Sequence, residues 1–241
     1  MKIKPVPFFL ALGIAVSLAC FGGSEGTTNL VGSPQVRLAY LGSIAGTAAL
    51  YRVDGTAETL LIADVPSSVV SGYVSAGPIN NYTQPFQLRV KVNNAVVQER
   101  EFNLTASSKN TIAAARQFQG LARIQNFAVN QSLVAPNRWT FSVGHMVTGY
   151  QGDVDVYVIR GEETLQTAGR AFAGVAPFTG TTYRLDDLPG NQIAFCAAGT
   201  RQSLLTIAYP TETNVPSRRF TVFLRGTGPT QGGFSTLVVP D

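Results

Sequence analysis

The chain of 241 residues has a single histidine, His145. A Ser-His-Asp site needs a base oriented by an acid and a serine held on a sharp turn. No Gly-x-Ser-x-Gly run is present, and nothing in the sequence fixes a serine near His145. A structural zinc site takes four His, Cys or carboxylate ligands, and His145, Cys20 and Cys196 do not supply a ligand spacing of that kind. His145 is therefore read as a loop or capping histidine. Among the acids, Asp153 and Asp155 point the same way if their strand is regular, because side chains repeat every second residue. Glu162 with Glu163, or Asp186 with Asp187, could join them at a sheet end. Calcium takes roughly six to eight oxygens, and no Asp-x-Asp-x-Asp-Gly loop occurs. The expectation is that Asp155 lies on a solvated strand face, where its charge discourages edge pairing. Residues 226–233 are rich in glycine but precede no helix, so they read as a hairpin loop and not a phosphate cradle. The sequence thus predicts no catalytic residue, no metal and no cofactor: a protein that is not an enzyme.

A second kind of chemistry, recognition, has one candidate segment. Residues 130–152 hold the only tryptophan, Trp139, together with Phe141, His145, Met146 and Tyr150. Aromatics grouped in a long loop form sugar or partner platforms, which makes Trp139, Phe141 and Tyr150 the candidate ligand-binding residues. The rival reading is that Trp139, Phe141 and Val143 alternate as a strand whose apolar face is core.

The start of the chain carries an address. Lys2 and Lys4 precede an uncharged apolar run over residues 5–19, too short for a membrane span. Ser17-Leu18-Ala19-Cys20 resembles the lipobox of bacterial lipoproteins, in which the cysteine is acylated. Ordinary signal cleavage after Ala19 fits the same residues; either way Cys20 begins the mature chain. Residues 1–19 are thus read as a signal peptide, 20–33 as a flexible tether, and the membrane as a partner through a lipid on Cys20. The expected location is the cell envelope. Once Cys20 is acylated Cys196 has no partner, and it reads as a small buried residue of a strand.

The remaining residues must build the scaffold. Hydrophobic residues make up 45% and charged residues 13%, with 24 Gly and 13 Pro. That composition favours β-structure with frequent turns. The net charge of +4 includes Lys2 and Lys4, and the small excess left without them argues against nucleic acid. Residues 35–41 alternate, with Val36, Leu38 and Tyr40 on one face and Arg37 and Ala39 on the other, as in a half-buried strand. Residues 48–53 run into Asp54-Gly55, a type I′ hairpin signal. Residues 86–92 alternate up to Asn93-Asn94, which can supply left-handed turn residues, and 219–225 alternate with Phe220, Val222 and Leu224 inward.

Val154-Asp155-Val156-Tyr157-Val158-Ile159-Arg160-Gly161 repeats, more strongly, Ala48-Ala49-Leu50-Tyr51-Arg52-Val53-Asp54-Gly55. Arg123-Ile124-Gln125-Asn126-Phe127 restarts the pattern that Arg37-Leu38-Ala39-Tyr40 began. Echoes in preserved order mean a tandem repeat. The expected layout is one β-sandwich over 34–117 and a second over 121–241, the latter carrying an insertion at 130–152. On Val154–Val158 with Gly161, Leu188-Pro189-Gly190, and Arg219-Phe220-Thr221-Val222-Phe223-Leu224-Arg225-Gly226, the chain resembles the bacterial domain of unknown function 4397. That resemblance implies an all-β chain of two tandem sandwiches, immunoglobulin-like or transthyretin-like, in the cell envelope. The functional expectation is a structural or adhesive envelope lipoprotein with an envelope protein or glycan as partner. The alternative is a carbohydrate or small-ligand module working through residues 130–152.

Overall fold

A computed structural model describes residues 32–42, 45–116, 122–129, 131, 138–186, 190–227 and 233–241. The signal peptide, Cys20 and most of the tether lie outside the described residues, as does the Leu188-Pro189 turn. Among the described residues there is no helix; the protein is all-β.

Nine strands make the first half: β1 (Gln35–Tyr40), β2 (Thr47–Asp54), β3 (Ala57–Pro66), β4 (Val69–Val70), β5 (Val74–Ser75), β6 (Thr83–Val92), β7 (Ala95–Thr105), β8 (Lys109–Arg116) and β9 (Ala122–Ala128). Nine more make the second: β10 (Trp139–Val147), β11 (Val154–Ile159), β12 (Gly169–Val175), β13 (Thr179–Gly180), β14 (Arg184–Asp186), β15 (Gln192–Ala197), β16 (Ser203–Ala208), β17 (Arg219–Gly226) and β18 (Phe234–Pro240). Each half has an outer sheet, ordered β3-β2-β6-β7 or β12-β11-β15-β16. Each also has an inner sheet, β1-β8-β9 with β4 and β5 along β1, or β10-β17-β18 with β13 and β14 along β10. The pairs β1–β8 and β10–β17 are parallel and the others antiparallel. One pairing scheme therefore occurs twice, strand for strand.

Local chemistry sets the hairpins. Asn93 (φ 49°) and Asn94 (φ 65°) are both left-handed between β6 and β7, which is what a type I′ turn demands. At the β2–β3 hairpin only Gly55 (φ 63°), the first central residue, is left-handed. That is the pattern of type II′, so the type I′ expectation there is corrected.

The alternation fills three cores between sheets, and a smaller cluster around Cys196 lies on the outward face of β11 and β15. Val36, Leu38, Tyr40, Leu50, Leu88, Val90 and Ile112 pack between the sheets of the first half. Phe141, Val143, Val154, Val156, Phe195, Phe220 and Leu224 do so in the second. A third cluster joins the two inner sheets to each other: Ala39, Ala113, Ala115 and Phe127 against Met146, Phe223 and Val239. The molecule is thus four sheets deep, outer-inner-inner-outer. Small residues on one inner sheet receive large ones from the other, and Phe127 meets Phe223 edge-on at 4.8 Å. Gly144 makes room for both rings, since a Cβ there would lie 2.8 Å from Phe127 and 2.6 Å from Phe223.

Three expectations are corrected. Residues 123–127 do not restart the repeat: they belong to β9, which pairs with β8 and completes the first inner sheet. The strand that repeats β1 is β10, because each runs parallel to the eighth strand of its half. Residues 139–147 are therefore a core strand and not part of an insertion, and the echo of Arg37 in Arg123 was a coincidence of composition. Finally, β1 is buried on both faces, not one, because the second half covers the face that carries Arg37 and Ala39.

Candidate functional site at the seam

Where the inner sheets meet, buried polar side chains form one connected network. Arg37, 6% exposed, projects from β1. Its Nε donates to Thr111 Oγ1 (2.9 Å), one Nη donates to the Pro240 carbonyl (2.8 Å), and the other pairs with Asp241 Oδ1. Asp241 Oδ2 accepts from the Tyr183 hydroxyl (2.5 Å) and from Thr221 Oγ1 (3.0 Å). Thr221 in turn lies 2.9 Å from Ser142 Oγ. The Arg37 guanidinium also sits 4.6 Å above the Tyr73 ring. Arginine suits this place because its planar fork satisfies several acceptors at once. Tyr183 reaches over β10 and β17 from the segment between β13 and β14. Burial, reinforced by the Asp241 charge, pushes its phenol well above the ordinary range. It remains a proton donor at neutral pH and cannot serve as a base.

A cleft of about 480 Å³ opens beside this network, between β9 on one wall and residues 180–183 on the other. Gln125 and Asn126 bring amides to it, Ser142, Thr182 and Tyr183 bring hydroxyls, and Val129 brings apolar surface. Among the described residues no charged side chain lines it. Asn126 donates through Nδ2 to Asn110 Oδ1 (3.1 Å), while its own Oδ1 is enclosed and accepts no hydrogen bond among the described residues. The cleft therefore offers neutral donors and acceptors, with no nucleophile–base pair.

The residues singled out from sequence lie elsewhere. Trp139 and Phe141 are buried in the second core, where Trp139 packs edge-on against Tyr209 (5.6 Å) and Phe220 (6.1 Å). A ring enclosed on both faces cannot stack on a sugar, so the platform reading of these two residues is set aside. Tyr150 is half-buried and stacks on His145 at 6.0 Å. Trp139→Ala is accordingly expected to cost about 3 kcal/mol of stability, as an emptied aromatic core site does; a urea midpoint left unchanged would contradict this placement. His145 is a strand residue, fully buried, with Nε2 3.1 Å from the Gly152 carbonyl, and burial holds its pKa below the ordinary value. It is a core histidine, not a loop one.

Asp155 is not solvated either. It is 1% exposed on the outward face of β11. Oδ1 accepts from the Gly174 amide (2.8 Å), and Oδ2 from the Gly199 amide (3.0 Å) and Arg170 (3.2 Å). Burial would raise this carboxyl, but the two amides and Arg170 outweigh it and hold it below the usual range. Cys196 is fully buried beside Tyr157, Ile159 and Ala194, with its thiol pushed up chiefly by burial. Among the described residues no group of three or more His, Cys, Asp or Glu could hold a metal. The Asp186 side chain and Asp187 lie outside what is described.

Sequence reasoning missed Arg37, Tyr183, Asp241 and Asn126. One signal was available: Ala39, Ala113 and Ala115, with Phe223, occupy the faces that alternation turns away from the sandwich cores. Small apolar residues and a phenylalanine there point to a further layer.

No protein-family model matches this chain, and no curated protein matches it. The likeness to the domain of unknown function 4397 therefore stands on the quoted residues alone. Solved structures similar to the chain include the carbohydrate-binding module CBMbc, of family CBM26, from Eubacterium rectale Amy13K in complex with maltoheptaose. It is 10% identical, at a TM-score of 0.28 over 86% of this chain and 97% of that one. The fimbrial anchor protein Mfa2 from Porphyromonas gingivalis is also 10% identical, at a TM-score of 0.23 over 86% and 95%. Superpositions this loose carry no argument about fold or function.

Proposed function

We propose that this protein is a non-catalytic cell-envelope module, anchored by a lipid on Cys20, whose two fused sandwiches form a rigid body and whose seam cleft is its interaction site. The observation that carries the reading is the cleft's chemistry. Hydroxyls, amides and apolar carbons line it, without a charged group among the described residues, above a network in which Tyr183 is locked as a donor. Such a site suits neutral polar partners, and its described lining holds no general base. Fusion of the halves supports a spacer role, because a seam filled by Phe127, Met146 and Phe223 resists hinge motion between them. Among the described residues no helix is long and apolar enough to cross a membrane, and a lipid on Cys20 would supply attachment. The anchor is tested by fractionation. Cys20→Ser is expected to move the protein from the membrane to the soluble fraction and to remove the added mass from the mature N-terminus. Membrane association that persists without such a mass would overturn the anchor.

A further inference from the structure

Backbone groups, as well as side chains, face the seam cleft. β9 is the last strand of its sheet, and among the described residues no strand pairs with its outer edge. The Val129 amide donates to the Lys109 carbonyl (2.8 Å), and the ladder continues with Ala128 opposite Asn110 and Phe127 opposite Thr111. Hydrogen-bonded and non-hydrogen-bonded pairs alternate in an antiparallel ladder. Val129, Phe127 and Gln125 therefore direct their backbone groups to β8, while Ala128, Asn126 and Ile124 turn theirs outward. The Ile124 amide is occupied by Gln98 Oε1 (2.6 Å). Among the described residues the amides of Asn126 and Ala128 remain, two residues apart, while the Asn126 carbonyl accepts from Gln125 Nε2 (3.4 Å); both residues line the cleft.

We propose that the seam cleft binds an extended, uncharged peptide segment of a partner protein, added as a strand to the outer edge of β9. The inference deepens the reading of the cleft as an interaction site and rests on it. A two-residue spacing of outward amides matches the repeat of a β-strand, and strand addition of this kind draws its affinity from main-chain bonds. The uncharged lining selects against charged residues, which would be desolvated there without an ion partner. With two to four main-chain bonds and modest apolar contact, the expected Kd is of the order of 0.1–1 mM.

The test uses the purified full chain and an end-capped peptide of about seven alternating threonine and valine residues. Its partner probe is the same peptide N-methylated at every amide, which removes the donors of both strand edges. The parent peptide should slow hydrogen exchange at the Asn126 and Ala128 amides about tenfold, and the methylated one should not. Ala128→Pro, which removes an outward amide where an edge strand tolerates proline, should weaken binding at least about tenfold. Should that variant fail to fold, Thr182→Trp fills the opposite, exposed wall and should weaken binding likewise. Equal binding of the two peptides, or no protection of these amides at millimolar peptide, overturns the inference. So does protection by a neutral glucose oligomer where the peptide gives none. Those results would leave the envelope anchor standing, because it is read from fractionation alone.

Discussion

Arg37→Ala is expected to lower stability by about 4 kcal/mol, because it strands the Asp241 carboxylate in the seam with its charge unpaired. Asp241 has no exposed side-chain surface, and among the described residues its remaining side-chain donors are two hydroxyls, from Tyr183 and Thr221. The same change frees the Pro240 carbonyl and Thr111 from their donor. Removing both charges should behave differently. In the double variant Arg37→Met with Asp241→Leu, apolar groups replace the pair, and buried ion pairs exchanged in this way are often neutral or better. A double-mutant cycle on urea midpoints should therefore give a favourable coupling of more than about 2 kcal/mol. Single losses that simply add would mean that the pair is solvated and the seam open. Trp139, the only tryptophan, lies in the second core, so its fluorescence reports that half while circular dichroism reports both. The two transitions should coincide in the parent chain and separate in Arg37→Ala.

Asp155→Ala should cost about 3 kcal/mol, since it removes a buried, charged acceptor from two backbone amides. Both donors belong to left-handed glycines, Gly174 (φ 58°) at the bulge in β12 and Gly199 (φ 73°) in the β15–β16 turn. The carboxylate thus ties the β12 edge and the β15–β16 hairpin to β11. Arg170 adds little, being half exposed and screened by solvent. Asp155→Asn should recover little of the loss, because its amide nitrogen meets one backbone donor with another. The pH dependence has a definite sign. The folded carboxyl titrates below the ordinary aspartate value of about 3.9, so the unfolded chain takes up the proton first. The contribution of Asp155 is complete above that ordinary value and is lost as pH falls through the lower, folded one. The stability difference between the parent and Asp155→Ala should be flat around neutrality and shrink only in acid. A difference that grew in acid would mean the carboxyl is raised, not depressed.

Much of the scaffold was legible along the chain. Alternation in β1, β6 and β17 placed Val36, Leu38, Val90, Phe220 and Leu224 inside, where they are. Asn93-Asn94 marked a tight hairpin through side chains that tolerate left-handed backbone. The repeat was visible in Tyr51 and Tyr157, although its boundary was set one strand too early. A basic residue followed by alternating apolar and polar ones occurs in more than one strand of a sandwich, so Arg123–Phe127 could imitate the start of a repeat while pairing at the end of one.

The candidate site was not legible, and the reason is geometric. A period of two states which side chains share a face, but not what covers that face. Arg37, Asp155 and His145 look from the sequence like residues turned to water or a loop. Each is buried because a distant segment closes over it: the second half over Arg37, a glycine bulge and a glycine turn over Asp155, and the loop to Gly152 over His145. By itself the sequence determined the strands, their inward faces and the scarcity of acid–base chemistry, all of which depend on neighbours a few residues apart. Only the tertiary structure decided that the inner sheets join, that Arg37 meets Asp241 from the far end of the chain, and that a neutral cleft lies between the halves. Those contacts depend on how whole sheets pack, which no local spacing encodes.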